Sequence, residues 1–102
     1  MNDYILFMHN DVVDYAVADD ANRWEQYILT LESSGQFDGG SAIGPGVLCK
    51  QHGRDQPAPT DIRGYIRVRA DDVDQARQYL IGNPTYEAGG TVEIRELPRT
   101  SA

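Results

Sequence analysis

Apolar residues change their spacing repeatedly along the chain, and each change marks an element. Tyr4-Ile5-Leu6-Phe7-Met8-His9 is a run of aromatic and branched residues with the length of a buried strand. Residues 10–19 mix Asp, Asn and Val without a clear period and read as a connection with room for an extra turn. From Ala21 to Ser34 the pattern is helical: Trp24, Tyr27, Ile28 and Leu31 fall at i, i+3, i+4 and i+7 and form one apolar stripe. Asp19 or Asp20 supplies a carboxylate to the free N–H groups at its start. Gly35 suits the left-handed position that closes it.

Glycines then bracket a flexible passage, Gly39-Gly40 and Gly44-Pro45-Gly46, and Val47–Gln51 is the predicted second strand. His52–Asp61, with Gly53, Pro57 and Pro59, reads as a hairpin loop. Ile62–Arg69 alternates clearly, with Tyr65, Arg67 and Arg69 on one side and Ile66 and Val68 on the other. A second helix is predicted over Asp71–Ile81, with Val73, Ala76 and Leu80 as its stripe. Gly82-Asn83-Pro84 ends it, because Pro donates no N–H and restricts the residue before it. Thr91–Leu97 alternates again, and residues 98–102 form a short polar tail.

The order β-α-β-β-α-β predicts a single ferredoxin-like α+β domain over residues 1–102: a four-stranded antiparallel sheet with both helices on one face. The other face needs a cover, and a second copy of the chain in a homodimer provides one.

Composition narrows the partners. The 102 residues carry a formal charge of −7, with Lys50 the lone lysine and the eight arginines dispersed. Such a field repels polyanions, so nucleic acid and anionic membrane surfaces are not expected. No apolar run approaches a membrane span, and the start of the chain lacks a basic stretch followed by an apolar one; a cytoplasmic protein is the expectation. Cys49 is the single cysteine and has no activating base nearby in sequence, so it reads as a small strand side chain.

Several residues carry candidate chemistry. His9 ends the first strand and Asp11 follows two residues on; with extension continued, the two share a face and make an oriented general base, or else an exposed His beside an acidic loop. Arg67 and Arg69 project from a polar strand face, either as a fork for a carboxylate or phenolate or as partners of Glu93 or another acid across the sheet. Trp24, Tyr27 and Tyr65 either line an aromatic pocket or belong to the core. His9, Asp11 and His52 lack any dense metal-binding spacing, so neither a metal nor another cofactor is expected.

Three stretches resemble the YCII-related (DGPF-domain) family: Trp24…Tyr27…Leu31…Gly35 running into Gly39-Gly40; Gly64-Tyr65-Ile66-Arg67-Val68 followed by Asp71-Asp72-Val73-Asp74-Gln75-Ala76; and Asn83-Pro84…Glu87-Ala88-Gly89-Gly90-Thr91-Val92-Glu93-Ile94-Arg95. The resemblance implies a dimeric α+β barrel. One branch of that family resembles a small dehydrochlorinase that uses a His–Asp pair; its His position falls at or near Trp24 here, and its acid near Asp38. The Asp-Gly-Pro-Phe motif of the other branch is replaced by Asp61-Ile62-Arg63-Gly64. The expectation is thus a dimer that binds or transforms a small anionic or phenolic molecule, with His9 and Asp38 as acid/base candidates and Asp11, Trp24, Tyr27, Tyr65 and Arg67 as binding candidates. A non-catalytic dimeric interaction module is the alternative.

Overall fold

In chain order, the elements are β1 (Asn2–His9), α1 (Tyr15–Ala18), α2 (Ala21–Ser34), β2 (Phe37–Ala42), β3 (Val47–Leu48), β4 (Gln56–Pro57), β5 (Ile62–Ala70), α3 (Val73–Arg77) with a 3-10 turn at Gln78–Leu80, α4 (Pro84–Glu87) and β6 (Val92–Leu97). They are taken from a computed structural model that describes residues 1–99, so all of the predicted polar tail beyond Arg99 lies outside the described residues.

The main sheet has the order β2-β5-β1-β6, antiparallel throughout, which is the predicted ferredoxin-like arrangement. Register fixes its faces. Tyr4, Leu6 and Met8 stand opposite Val68, Ile66 and Gly64 on β5, and Leu6 also stands opposite Ile94 on β6. Residues directly opposite share a face, so these positions make one apolar surface. Tyr27 and Leu31 of α2 and Ala76 of α3 close over it to form the core. Leu6 and Val68 are fully enclosed there, each contributing roughly 1.5–3 kcal/mol through burial. Both principal helices therefore lie on one side of the sheet.

Helix α2 begins and ends where the apolar stripe predicts. The Asp20 carboxylate accepts from the N–H groups of Asn22 and Arg23 at 2.9 and 3.2 Å, and Gly35 takes φ 75° at the C-terminus. The second helix is shorter than expected. Asp72 caps it through Gln75 N at 2.8 Å, but it tightens into the 3-10 turn after Arg77. Val73, expected in its stripe, is 43 % exposed. Two short helices have local causes: Asp14 caps α1 through Ala16 N at 3.0 Å, and Asn83 caps α4 through Tyr86 N at 3.0 Å with Pro84 in the first turn.

The second strand of the sheet is a correction. Phe37–Ala42, not Val47–Gln51, pairs with β5. Its glycines obscured it, yet they are what the pairing needs: a Cβ at Gly40 would sit 2.5 Å from the Tyr65 carbonyl oxygen, at a bulge between Phe37 and Gly40. Val47–Leu48 instead pairs with Gln56–Pro57 in a separate hairpin, and residues 43–57 are exposed throughout, including Ile43, Val47 and Leu48. The radius of gyration is 15.1 Å, against about 13 Å for a compact domain of this length. The exposed arm adds to that radius.

Candidate functional site

A cavity of about 550 Å³ opens between α2 and the β2–β5 side of the sheet, within the range of small-molecule sites. Its floor is the strand pair itself, where Gly40 and Gly64 leave the backbone uncovered beside Met8 and Ile66. Its wall is Trp24 and Ile28, one turn apart on α2, and Phe37 and Thr85 complete the enclosure. Trp24 is held in place: its indole N–H donates to the Ala18 carbonyl at 2.6 Å, and its ring meets Tyr27 edge-on at 6.0 Å between centroids and 74° between planes. Tyr27 is itself core, 3 % exposed, with its hydroxyl donating to the Tyr79 carbonyl at 2.5 Å; burial pushes that phenol up to about 12.

The charged groups bordering the cavity are Arg63 and Asp19. Simple alternation would put Arg63 on the far side of the sheet with Tyr65 and Arg67. It does not sit there, because the β1–β5 register shifts: Met8 pairs with Gly64 and His9 with Ile62, leaving Arg63 without a partner on β1. A bulge of this kind re-aims the extra side chain. Arg63 Nη2 donates to Asp19 at the end of α1, and the guanidinium carbon lies 5.9 Å from the centre of the Tyr15 ring. Its Nη1 is buried with no acceptor. Nearby, Thr85 is 0 % exposed and its hydroxyl also lacks a partner.

Of the residues singled out from sequence, Trp24 and Tyr65 border this cavity; Tyr65 lies opposite Phe7 and Ser41, partners on the uncovered face. Tyr27 stands behind the wall. The others gather elsewhere. His9 Nε2 lies 2.7 Å from Glu93 Oε1, a carboxylate one strand away, and Glu93 also accepts from Arg95 Nε. The Arg95 bond, and after it the His9 bond, holds the Glu93 carboxyl below the usual carboxylate range. Asp11 does not share a face with His9, because the strand ends at His9; it accepts from Thr91 N at 2.8 Å and Thr91 Oγ1 at 2.7 Å, and these bonds lower its carboxyl. Asp38 lies 3.1 Å from Arg69 Nε, in a charge contact without hydrogen-bond alignment, while Arg69 Nη2 donates to the Gly35 carbonyl at 2.7 Å. Arg67, opposite Ile5, is exposed on the uncovered face with no ion-pair partner among the described residues. Among the described residues, no three His, Cys, Asp or Glu side chains converge as a metal site would require, and no helix is long and apolar enough to cross a membrane.

Sequence reading missed Arg63, Asp19 as its partner, and Thr85. The signal for Arg63 was weak: an Arg-Gly step at the start of a strand, where a glycine often marks a bulge.

No protein-family model matches the chain, and no curated protein sequence is similar to it. Among solved structures, the fold is similar to 5-chloro-2-hydroxyhydroquinone dehydrochlorinase from Burkholderia phenoliruptrix AC1100, solved in complex with 2,5-dihydroxybenzoquinone. The TM-score is 0.55 at 11 % identity, over 96 % of this chain and 95 % of that one. The likeness establishes a shared α+β barrel-type fold.

Proposed function

We propose that the cavity between α2 and the sheet binds a small planar ring bearing hydroxyl or carbonyl oxygens, a phenol or a quinone, and that the chain is a YCII-related protein that works as a homodimer. The observation that carries the reading is the cavity itself: its wall is an indole pinned by its own N–H, its floor is bare backbone, and a cation stands at its border. An aromatic face over an open strand pair suits a flat ring. A fold neighbour solved with a dihydroxybenzoquinone supports the same ligand class.

His9, Asp11, Asp38 and Arg67 lie outside that cavity; in this reading His9 and Arg67 serve the surface between two copies rather than the ligand, and Asp11 holds the start of β6 through Thr91. The uncovered sheet face supports a second copy, since Ile5 and Phe7 lie there half-buried among charged side chains. So does the exposed arm, which carries Lys50 and Arg54 against Asp55 in a chain whose formal charge is −7: a net positive projection suits an acidic body.

Trp24 is the chain's single tryptophan, so fluorescence excited at the red edge of the absorption band, where tyrosine does not absorb, reports on this wall. Titration with 2,5-dihydroxybenzoquinone should quench it saturably. At about a hundred times Kd, binding adds about 2.7 kcal/mol to stability, raising Tm by about 10 °C. Quenching that stays linear in concentration, with Tm unchanged, would defeat the proposal.

A further inference from the structure

The geometry points to Arg63 as the residue by which this cavity selects ligands carrying an ionised acidic oxygen over neutral ligands of the same shape. The inference rests on the binding role proposed above and adds the chemical class of ligand and the residue that reads it.

Three features converge. First, the bulge at Arg63 turns a cation that alternation assigns to the opposite face toward the helix side of the sheet. A bulge that re-aims one side chain is a common device at sites. Second, the guanidinium is only partly engaged. Asp19 takes Nη2, the Tyr15 ring stands against the guanidinium carbon, and Nη1 is enclosed with no acceptor. A buried charged donor without a partner is costly, and an anionic oxygen seated in the cavity is the acceptor that satisfies it. Third, the remaining surroundings are apolar or neutral: Trp24, Ile28, Phe37, Met8 and bare strand. In such surroundings a charge-assisted hydrogen bond is strong. The chain as a whole, at −7, repels anions, so attraction must come from this local cation. Asp19 is the opposing charge and limits the effect.

An ionised ring hydroxyl and a ring carboxylate offer the same chemistry to Nη1, so two matched pairs separate them. 2,5-Dihydroxybenzoquinone, ionised at neutral pH, is compared with 2,5-dimethoxybenzoquinone; 2,5-dihydroxybenzoate is compared with its methyl ester. Binding is read by Trp24 fluorescence and by Tm. The natural chain should bind the charged member of at least one pair ten-fold or more tightly than the neutral one, and the pair that responds identifies the oxygen. Arg63→Met keeps an unbranched apolar stem without the guanidinium charge; it should bring that ratio near one while the neutral member still binds. Asp19→Asn removes the competing carboxylate and should raise the ratio. If Arg63 served only to hold α1 through Asp19, both variants would lower Tm and leave the ratio unchanged, and the inference would be overturned. Should none of the four compounds bind the natural chain, the binding role of the cavity fails and the inference falls with it, an outcome distinct from binding that ignores charge, which overturns the role of Arg63 alone.

Discussion

Thr85→Val should stabilise the free protein, which is an unusual expectation for a fully buried position. Thr85 is 0 % exposed, and its hydroxyl has no hydrogen-bond partner in the protein. A buried polar group left unpaired costs about 1–3 kcal/mol in desolvation. Valine has nearly the same shape and no hydroxyl, so that cost disappears. A methyl is slightly larger than an oxygen, and crowding takes back part of the gain. The net expectation is about 1 kcal/mol of stabilisation. In a chain of this length that raises Tm by about 4–5 °C. Thr85→Ser provides the contrast. It keeps the unpaired hydroxyl and deletes Cγ2, which packs so closely on Gly90 that a Cβ there would lie 2.9 Å from it. That variant should lose about 1 kcal/mol, the value of one buried methyl group. Urea unfolding of the three proteins measures both effects, with equal m-values required before the midpoints are compared. If Thr85→Val unfolds at lower urea than the natural chain by 1 kcal/mol or more, the hydroxyl is satisfied in the folded protein and the desolvation argument fails.

Two further outcomes follow from the fold. Tyr27 titrates near 10 when unfolded and about 12 when folded, because burial disfavours the phenolate. The folded state therefore holds the proton over that interval while the unfolded state releases it. Stability should fall by roughly 2–3 kcal/mol as pH rises from 10 to 12, and Tyr27→Phe should flatten that fall while losing about 1 kcal/mol at neutral pH with the bond to the Tyr79 carbonyl; an equally steep alkaline loss in the variant would assign it to other groups. For the homodimer, light scattering at micromolar concentration should give twice the chain mass of 11.3 kDa, and Phe7→Asp on the uncovered face should return it to one chain mass; a single-chain mass for the natural protein would remove the dimer.

What the chain's own residues determined is local and periodic. The stripe from Trp24 to Leu31, the Asp20 cap and Gly35 at the terminus specify α2, because the 3.6-residue period and the unpaired end groups act within a few residues of each other. A run of aromatic and branched residues specifies β1, alternation specifies β5 and β6, and their order with the helices implies the ferredoxin-like sheet. Where the second strand lies was not written in that code. Phe37–Ala42 lacks the branched residues of a strand, and its glycines are explained only by how closely β5 passes. The cavity depended still more on long-range register. A shift of one position between β1 and β5 moved Arg63 to the helix side and left Arg67 on the other, a decision made by the pairing of two strands some fifty residues apart in sequence. Because side-chain direction in a sheet has a period of two, a single unpaired residue reverses a face, and no pattern read within one strand records where that residue falls.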